Sequence, residues 1–343
     1  MHNHGGEIYE KSYRLDFSVN VNCTGTPESV LKAAAEGALL SAQYPDVKCL
    51  ALRRDLASFL SVSEDEIVFG NGAADVILTA VLAVKPKKVV VLAPTFAEYE
   101  QSAKILDAEM IYYRLKEEND FRLDEGFFSV LTEDVDMVFI CNPNNPTGQL
   151  VEREFLLRIL SHCKDQGIFL VVDECFNEFL DDPESYSLIR DLDDYPNLLI
   201  LKAFTKTYAM AGLRLGYGLC SDRNFLSRMA ECNQPWAVSI PAQYAGIAAL
   251  KEKEYVKSSM RLMRNERNFL KTELRRLGFR VFDSQANYIF FKADPDLKAK
   301  CSGHGILIRD CSNYVGLTAG YFRVSVKLHE ENLELLHVLE SLT

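Results

Sequence analysis

No Lys/Arg-rich run occurs in these 343 residues, and acids outnumber bases 49 to 38, for a net charge of −11. An acidic chain without a basic stretch is a poor partner for nucleic acid or an anionic membrane surface. A local positive pocket for a small phosphate remains open. No C-x-x-C pair occurs either. The nine cysteines (Cys23, Cys49, Cys141, Cys163, Cys175, Cys220, Cys232, Cys301 and Cys311) are odd in number and never closer than ten residues. That spacing suggests neither a zinc site nor a redox dithiol, and reads as buried or partly buried free thiols in a reducing compartment. No apolar run approaches a membrane span. The opening MHNHGGEIYEKSYR lacks the apolar core of a signal peptide. Together these absences lead to the expectation of a cytoplasmic protein. Repeats, low-complexity tracts and Gly/Ser linkers are missing too. What remains is ordinary globular composition, 48% hydrophobic and 25% charged, with length for one large domain or two.

Short apolar runs recur along the first two thirds. KKVVVLAP (87–94), VDMVFICNP (135–143), GIFLVVDEC (167–175) and NLLILKAF (197–204) read as buried strands. Amphipathic stretches lie between them, such as VEREFLLRILSHCKDQG (151–167), whose final glycine suits a helix stop. This alternation predicts an α/β fold with a largely parallel sheet. After about residue 235 the pattern changes. One long helix is predicted from about Gln243 to Leu277, followed by the strand-like FRVFDSQANYIFFKA and YFRVSVK. The expected organisation is an N-terminal arm (1–40), a large domain (41–235) and a smaller α+β C-terminal domain (236–343).

In open α/β sheets, ligands gather at the carboxyl ends of the strands. Here those ends carry Pro94-Thr95-Phe96, then NPNNPTG (142–148), then Asp173-Glu174, then Thr205-Lys206. GNGAADVILTAVLA (70–83) adds a glycine-rich turn before an apolar helix, which suits a phosphate but also an ordinary tight turn. NPNNPTG is a stiff loop with more asparagine than a turn needs. Asp173 and Glu174 read as a helix cap, as solvated loop acids, or as carboxylates able to pair with a buried cation, either a metal or a protonated ring nitrogen. No histidine lies near them in sequence, which argues against a metal. Two lysines follow. Lys202, inside the strand run, reads as a strand-face or edge lysine reaching solvent. Lys206, just past the strand, reads as an amine suited to Schiff-base chemistry with a carbonyl compound.

The set GNGAAD, PTF, NPNNPTG, VVDE and TKTYAMAGLRLGY, in this order, resembles the pyridoxal-phosphate enzymes of fold type I. The similarity is to class I/II aminotransferases and spans essentially the whole chain. The lysine eight residues before the arginine of AGLRLG selects Lys206 rather than Lys202. The resemblance implies an aspartate-aminotransferase-like fold, a three-layer large domain with a mainly parallel sheet plus a smaller C-terminal domain. It implies pyridoxal 5'-phosphate held covalently by Lys206, with Asp173 on the pyridinium nitrogen, Asn145 on the phenolic oxygen and Phe96 on the ring face. Backbone N–H groups of Gly72, Ala73 and Ala74, the Thr205 hydroxyl and Arg214 would hold the phosphate. Tyr44 would reach the phosphate across a homodimer interface, and Arg323 would grip the substrate α-carboxylate. Three positions depart from the common pattern. Phe176 and Phe96 stand where tyrosines are frequent, and Ala203 where a hydroxyl residue is.

Two branches of the family are similar, threonine-phosphate decarboxylases and histidinol-phosphate aminotransferases. His4-Gly5-Gly6, DFSVNVNCTG (16–25), Thr205 before the lysine, DECF with Phe176, NQPWAVS (233–239) and ILIRDCSNYVGLTAGYFRVSVK (306–327) fit the decarboxylase branch better. Cys23 and Ala211 depart from it, both standing where proline is usual. The expected substrate is a small phosphorylated amino acid, with His4, Asn22, Thr24 and Arg309 as candidates for its phosphate. The alternative is transamination with 2-oxoglutarate. The same lysine, aspartate and ring serve both, because substrate orientation decides which Cα bond breaks. A non-catalytic regulator with an aminotransferase-like domain would need an extra basic module ahead of Tyr44, where only about forty residues stand.

Overall fold

In the computed structural model, residues 5–9 and 11–342 are described. The N-terminal segment supplies a short strand, β1 (Leu15–Asp16). The apolar runs then form β2 (Ile67–Gly70), β3 (Lys88–Ala93), β4 (Glu109–Arg114), β5 (Met137–Cys141), β6 (Phe169–Asp173), β7 (Leu198–Ala203) and β8 (Gly216–Leu219). These build one seven-stranded sheet in the order β2-β8-β7-β6-β5-β3-β4. All its strands run the same way except β8, which is antiparallel to both β2 and β7.

The sheet is covered on both sides, which is why its inner strands read as unbroken apolar runs. β5 shows the alternation. Val138 and Ile140 enter the core on one face, and Met137, Phe139 and Cys141 enter the core on the other. The helix predicted within 151–167 runs Arg153–Gln166 and stops at Gly167, which takes φ +74°. β4 and β8 are less legible. β4 is a sheet edge with half-buried residues, and β8 reads GYGL. Gly216 in β8 has a packing reason: a Cβ there would collide with the backbone of Gly72 and Ala73. The bare backbone lets the helix Ala73–Val84 start flush against the sheet.

Beyond residue 235, one expectation changes. The single long helix is two, Ile240–Ala249 and Lys253–Arg276. Leu250 to Glu252 form a tight turn between them. The first packs its small residues on the helix Glu28–Ala38, where Gly37 lies against Pro241. The second is amphipathic and packs on the C-terminal sheet. β9 (Arg280–Val281), β10 (Tyr288–Lys292), β11 (Ile306–Leu307), β12 (Arg309–Asp310) and β13 (Tyr321–Ser325) follow. Four of these make an antiparallel sheet in the order β12-β13-β10-β9, while β11 pairs in parallel with β1. The core beneath holds Met263, Leu270, Ile289, Phe322 and Leu335, and also Phe17 from the N-terminal segment. All nine cysteines are free thiols. Among the described residues, no helix is long and apolar enough to cross a membrane.

Candidate active site

The carboxyl ends of four neighbouring strands open onto one cavity of about 320 Å³. Phe96 arrives from the turn after β3, and Cys141 and Asn145 from the end of β5 and its loop. β6 contributes Asp173, with Cys175 and Phe176 just beyond it. From the end of β7 come Ala203, Thr205 and Lys206. The remaining wall belongs to Arg214, to the start of the helix Ala73–Val84, to Gly5, Ser18, Val19 and Asn20 of the N-terminal segment, and to Arg309, Tyr314 and Arg323 of the C-terminal sheet region.

Lys206 sits in a one-turn helix, Phe204–Thr207, directly after β7. Its Nζ lies 5.8 Å from the centre of the Phe176 ring. Burial lowers its pKa to about 8, helped by the positive charges of Arg323 and Arg214 and opposed by Cys175 and Asp173. An amine with that value carries a far larger neutral fraction near neutrality than an ordinary lysine, and the neutral form is what attack on a carbonyl requires.

Asp173 is the last residue of β6 and is buried. Both its oxygens are engaged. Oδ1 accepts the Cys175 N–H at 2.9 Å, and Oδ2 accepts the Tyr99 hydroxyl at 2.6 Å. Tyr99 is absent from the sequence-based expectations. Its ring stacks on Phe139 at 4.9 Å and meets Phe96 edge-on at 5.6 Å.

A phosphate-sized cradle lies at the start of the helix Ala73–Val84. First-turn N–H groups have no partner within a helix, and Ala73 and Ala74 line the cavity. Gly72 takes φ +83°, and a Cβ there would collide with the Arg214 guanidinium. Glycine thus allows Arg214 to close over the helix end, where Nη2 also donates to Asn71 O at 3.4 Å. Thr205 is on the same cavity wall.

Two further arginines enter from the C-terminal sheet. Arg323 is buried; Nη1 donates to Asn145 Oδ1, and Nη2 donates to Ser18 O at 2.8 Å. Asn20, with its amide oxygen turned toward the guanidinium, accepts from Nη1 at 3.2 Å and Nε at 3.3 Å. Arg309 donates to Asp310 O at 2.7 Å and to Asn313 Oδ1 at 2.8 Å, and lies 5.2 Å from the Tyr314 ring centre. Arg309 and Arg323 are directly opposite in the β12–β13 register.

Other expected residues are placed elsewhere. Asn22 and Thr24 are outside the cavity wall. Asn22 clamps the lysine turn: its N–H donates to Lys206 O at 3.0 Å, and Nδ2 donates to Thr207 O at 2.9 Å and Ser259 Oγ at 3.0 Å. Its oxygen accepts from Thr24 Oγ1 at 2.9 Å. Tyr44 is 78% exposed and stacks on Trp236 at 4.4 Å, away from the cavity of its own chain. His4 lies outside the described residues. Lys202 does not reach solvent as expected. It is buried and paired with Glu178 at 2.7 Å and Glu174 at 3.3 Å. Ser18, Asn20, Cys141 and Tyr314 also line the cavity without having been singled out. Only the resemblance of whole segments, VNVN and SNYVG, gave a signal for Asn20 and Tyr314.

The sequence profile of aminotransferase class I and II matches residues 14–339. The chain belongs to that family. It is 34% identical to a threonine-phosphate decarboxylase of Salmonella typhimurium, over 98% of this chain and 96% of that one. Among solved structures, a histidinol-phosphate aminotransferase from Clostridium acetobutylicum superposes with a TM-score of 0.89. That pair is 31% identical, with 96% and 98% of the two chains covered. An L-threonine-O-3-phosphate decarboxylase from Porphyromonas gingivalis gives 0.85 at 27% identity, covering 96% of this chain and 99% of that one. The chain is thus a pyridoxal-phosphate-dependent enzyme with the fold of type I transferases. When bound, the cofactor supplies a ring that accepts the electron pair left at a substrate Cα as a bond there breaks. The residues present suit it. A glycine-opened cradle with an arginine fits the phosphate, a buried acid fits a protonated ring nitrogen, and an amine of lowered pKa fits the aldehyde. Among the described residues, no group of three or more His, Cys, Asp or Glu is placed to hold a metal.

Proposed function

We propose that this enzyme decarboxylates a small phosphorylated amino acid of the L-threonine O-3-phosphate type. One observation carries the reading: Arg309 and Arg323 stand opposite each other on β12 and β13, and both line the cavity that holds Lys206. Arg214 attends the helix-end cradle, so these two are additional cations. A substrate bearing both a carboxylate and a phosphate matches that supply, since a guanidinium fork suits each. The residue roles follow. Lys206 holds the cofactor and returns a proton to the substrate Cα after CO₂ leaves. Asp173 pairs with the ring nitrogen, Asn145 with the phenolic oxygen, and Phe96 covers the ring. Gly72, Ala73, Ala74, Thr205 and Arg214 hold the cofactor phosphate. Arg323 takes the carboxylate and Arg309 the substrate phosphate. The 34% identity to a threonine-phosphate decarboxylase supports the choice of reaction.

A second reading keeps the same residues and has Lys206 move a proton from Cα, giving transamination. It is favoured by the higher TM-score to the histidinol-phosphate aminotransferase. A paired assay separates them: CO₂ released from L-threonine phosphate, against 2-oxoglutarate-dependent transamination of histidinol phosphate. Transamination without CO₂ release would sink the decarboxylase reading. The same proposal makes the enzyme a homodimer, with Tyr44 of one protomer reaching the cradle of the other. Tyr44, Val47, Leu50 and Trp236 leave large apolar side chains exposed, which suits a covered surface. A purely monomeric species in sedimentation of the holoenzyme would remove that part.

A further inference from the structure

We propose that Tyr99 is a positioning residue for the cofactor, acting through Asp173. Tyr99 does not line the cavity. Its hydroxyl donates to Asp173 Oδ2 at 2.6 Å while the Cys175 N–H holds Oδ1 at 2.9 Å. A carboxylate with one free oxygen rotates about its terminal torsion, which is broad and soft. Pinned at both oxygens, it presents one fixed set of acceptor directions to the cavity. The donor is permanent, because burial, and then the Asp173 charge, push the Tyr99 phenol well above its ordinary range.

The same ring does a second job. It is fully buried, stacks on Phe139 of β5 at 4.9 Å and meets Phe96 edge-on at 5.6 Å. One side chain therefore touches both the acid assigned to the ring nitrogen and the aromatic assigned to the ring face. Depth and tilt of the bound ring are referred to a single buried tyrosine. Groups held by a second layer of contacts cost less to order when the ligand arrives.

This inference rests on the assignment of Asp173 to the ring nitrogen, so the test must separate the two. Tyr99→Phe keeps the ring and its packing and removes only the hydroxyl. Dissociation constants are measured on the apoprotein for pyridoxal phosphate and for its 1-deaza analogue, which carries CH in place of the ring nitrogen. The unaltered protein is expected to prefer the true cofactor. In Tyr99→Phe, affinity for pyridoxal phosphate should fall about ten-fold, the scale of a hydrogen bond to a charged group, while affinity for the analogue stays within about two-fold. The absorbance maximum of the bound cofactor should move in the variant, and the thermal melt of the apoprotein should stay close to that of the parent. Equal loss for both compounds would mean that Tyr99 only packs, and would overturn the proposal. An unchanged or larger preference for the true cofactor would overturn it too, with Asp173 still in place. If the unaltered protein shows no preference, the Asp173 assignment falls and takes this proposal with it.

Discussion

Lys202 and Lys206 are four residues apart, the first buried and the second half-buried, and end in opposite electrostatic states. Burial alone lowers the pKa of each. At Lys202, Glu178 and Glu174 overcome it and hold the ammonium well above the usual lysine range. At Lys206 the strongest charged neighbour is Arg323, and the amine falls to about 8. Lys202 faces a separate cavity with Glu178, Tyr208 and Tyr217, and Lys206 faces the cofactor cavity. The end of one strand thus separates a paired cation from an amine of lowered pKa. Position in the sequence offers two candidate lysines; the sign of the neighbouring charge distinguishes them.

The largest test of this contrast is a pair of substitutions. Lys206→Ala should abolish the covalent cofactor absorbance and turnover, while Lys202→Ala should retain the absorbance; the reverse result overturns the assignment. The next is stability. Lys202→Met leaves the fully buried Glu174 without its cation, and should cost about 3–5 kcal/mol in urea unfolding. Glu174 is already raised by burial, and loses in this variant the charge that opposed the rise. A carboxyl whose folded pKa is raised binds more protons folded than unfolded, so its contribution falls as pH rises. The deficit of Lys202→Met should therefore shrink as the solution is acidified. The smallest effect is a shifted midpoint. Covalent uptake of pyridoxal phosphate by the apoprotein should rise with pH around a midpoint of about 8. Arg323→Gln should move that midpoint upward, because it removes the neighbour that most disfavours the charged amine. An unmoved midpoint would leave burial and Arg214 as the causes.

What the sequence disclosed follows the range of each interaction. β3, β5, β6 and β7 were legible because strands covered on both faces are apolar throughout. The convergence of Asp173, Asn145, Lys206 and Arg214 was legible because each sits at a strand end or inside a dense motif. Tyr99 was not, since its partner Asp173 is 74 residues away and nothing local to Tyr99 points to it. Burial of Lys202 was hidden for a similar reason. Glu178 comes from a short turn after β6, and no local pattern announces that it faces β7. Asn22 looked like a ligand group and has its amide committed to the lysine turn and to Ser259 instead. An asparagine in a motif signals hydrogen bonding without naming the partner.

The pairing of β1 with β11 bears on how the chain is made. Leu15 meets Ile306, and Phe17 completes a core whose other members come almost wholly from the last hundred residues. Contacts of such long sequence separation form late, because a large loop must close first. On a ribosome adding about 5–20 residues per second, Leu15 waits roughly 15–60 s for its partner to exist. The strands of the large sheet have all emerged by then. The segment around β1 is made long before it is covered, and the core beneath the C-terminal sheet becomes complete only when β1 meets β11.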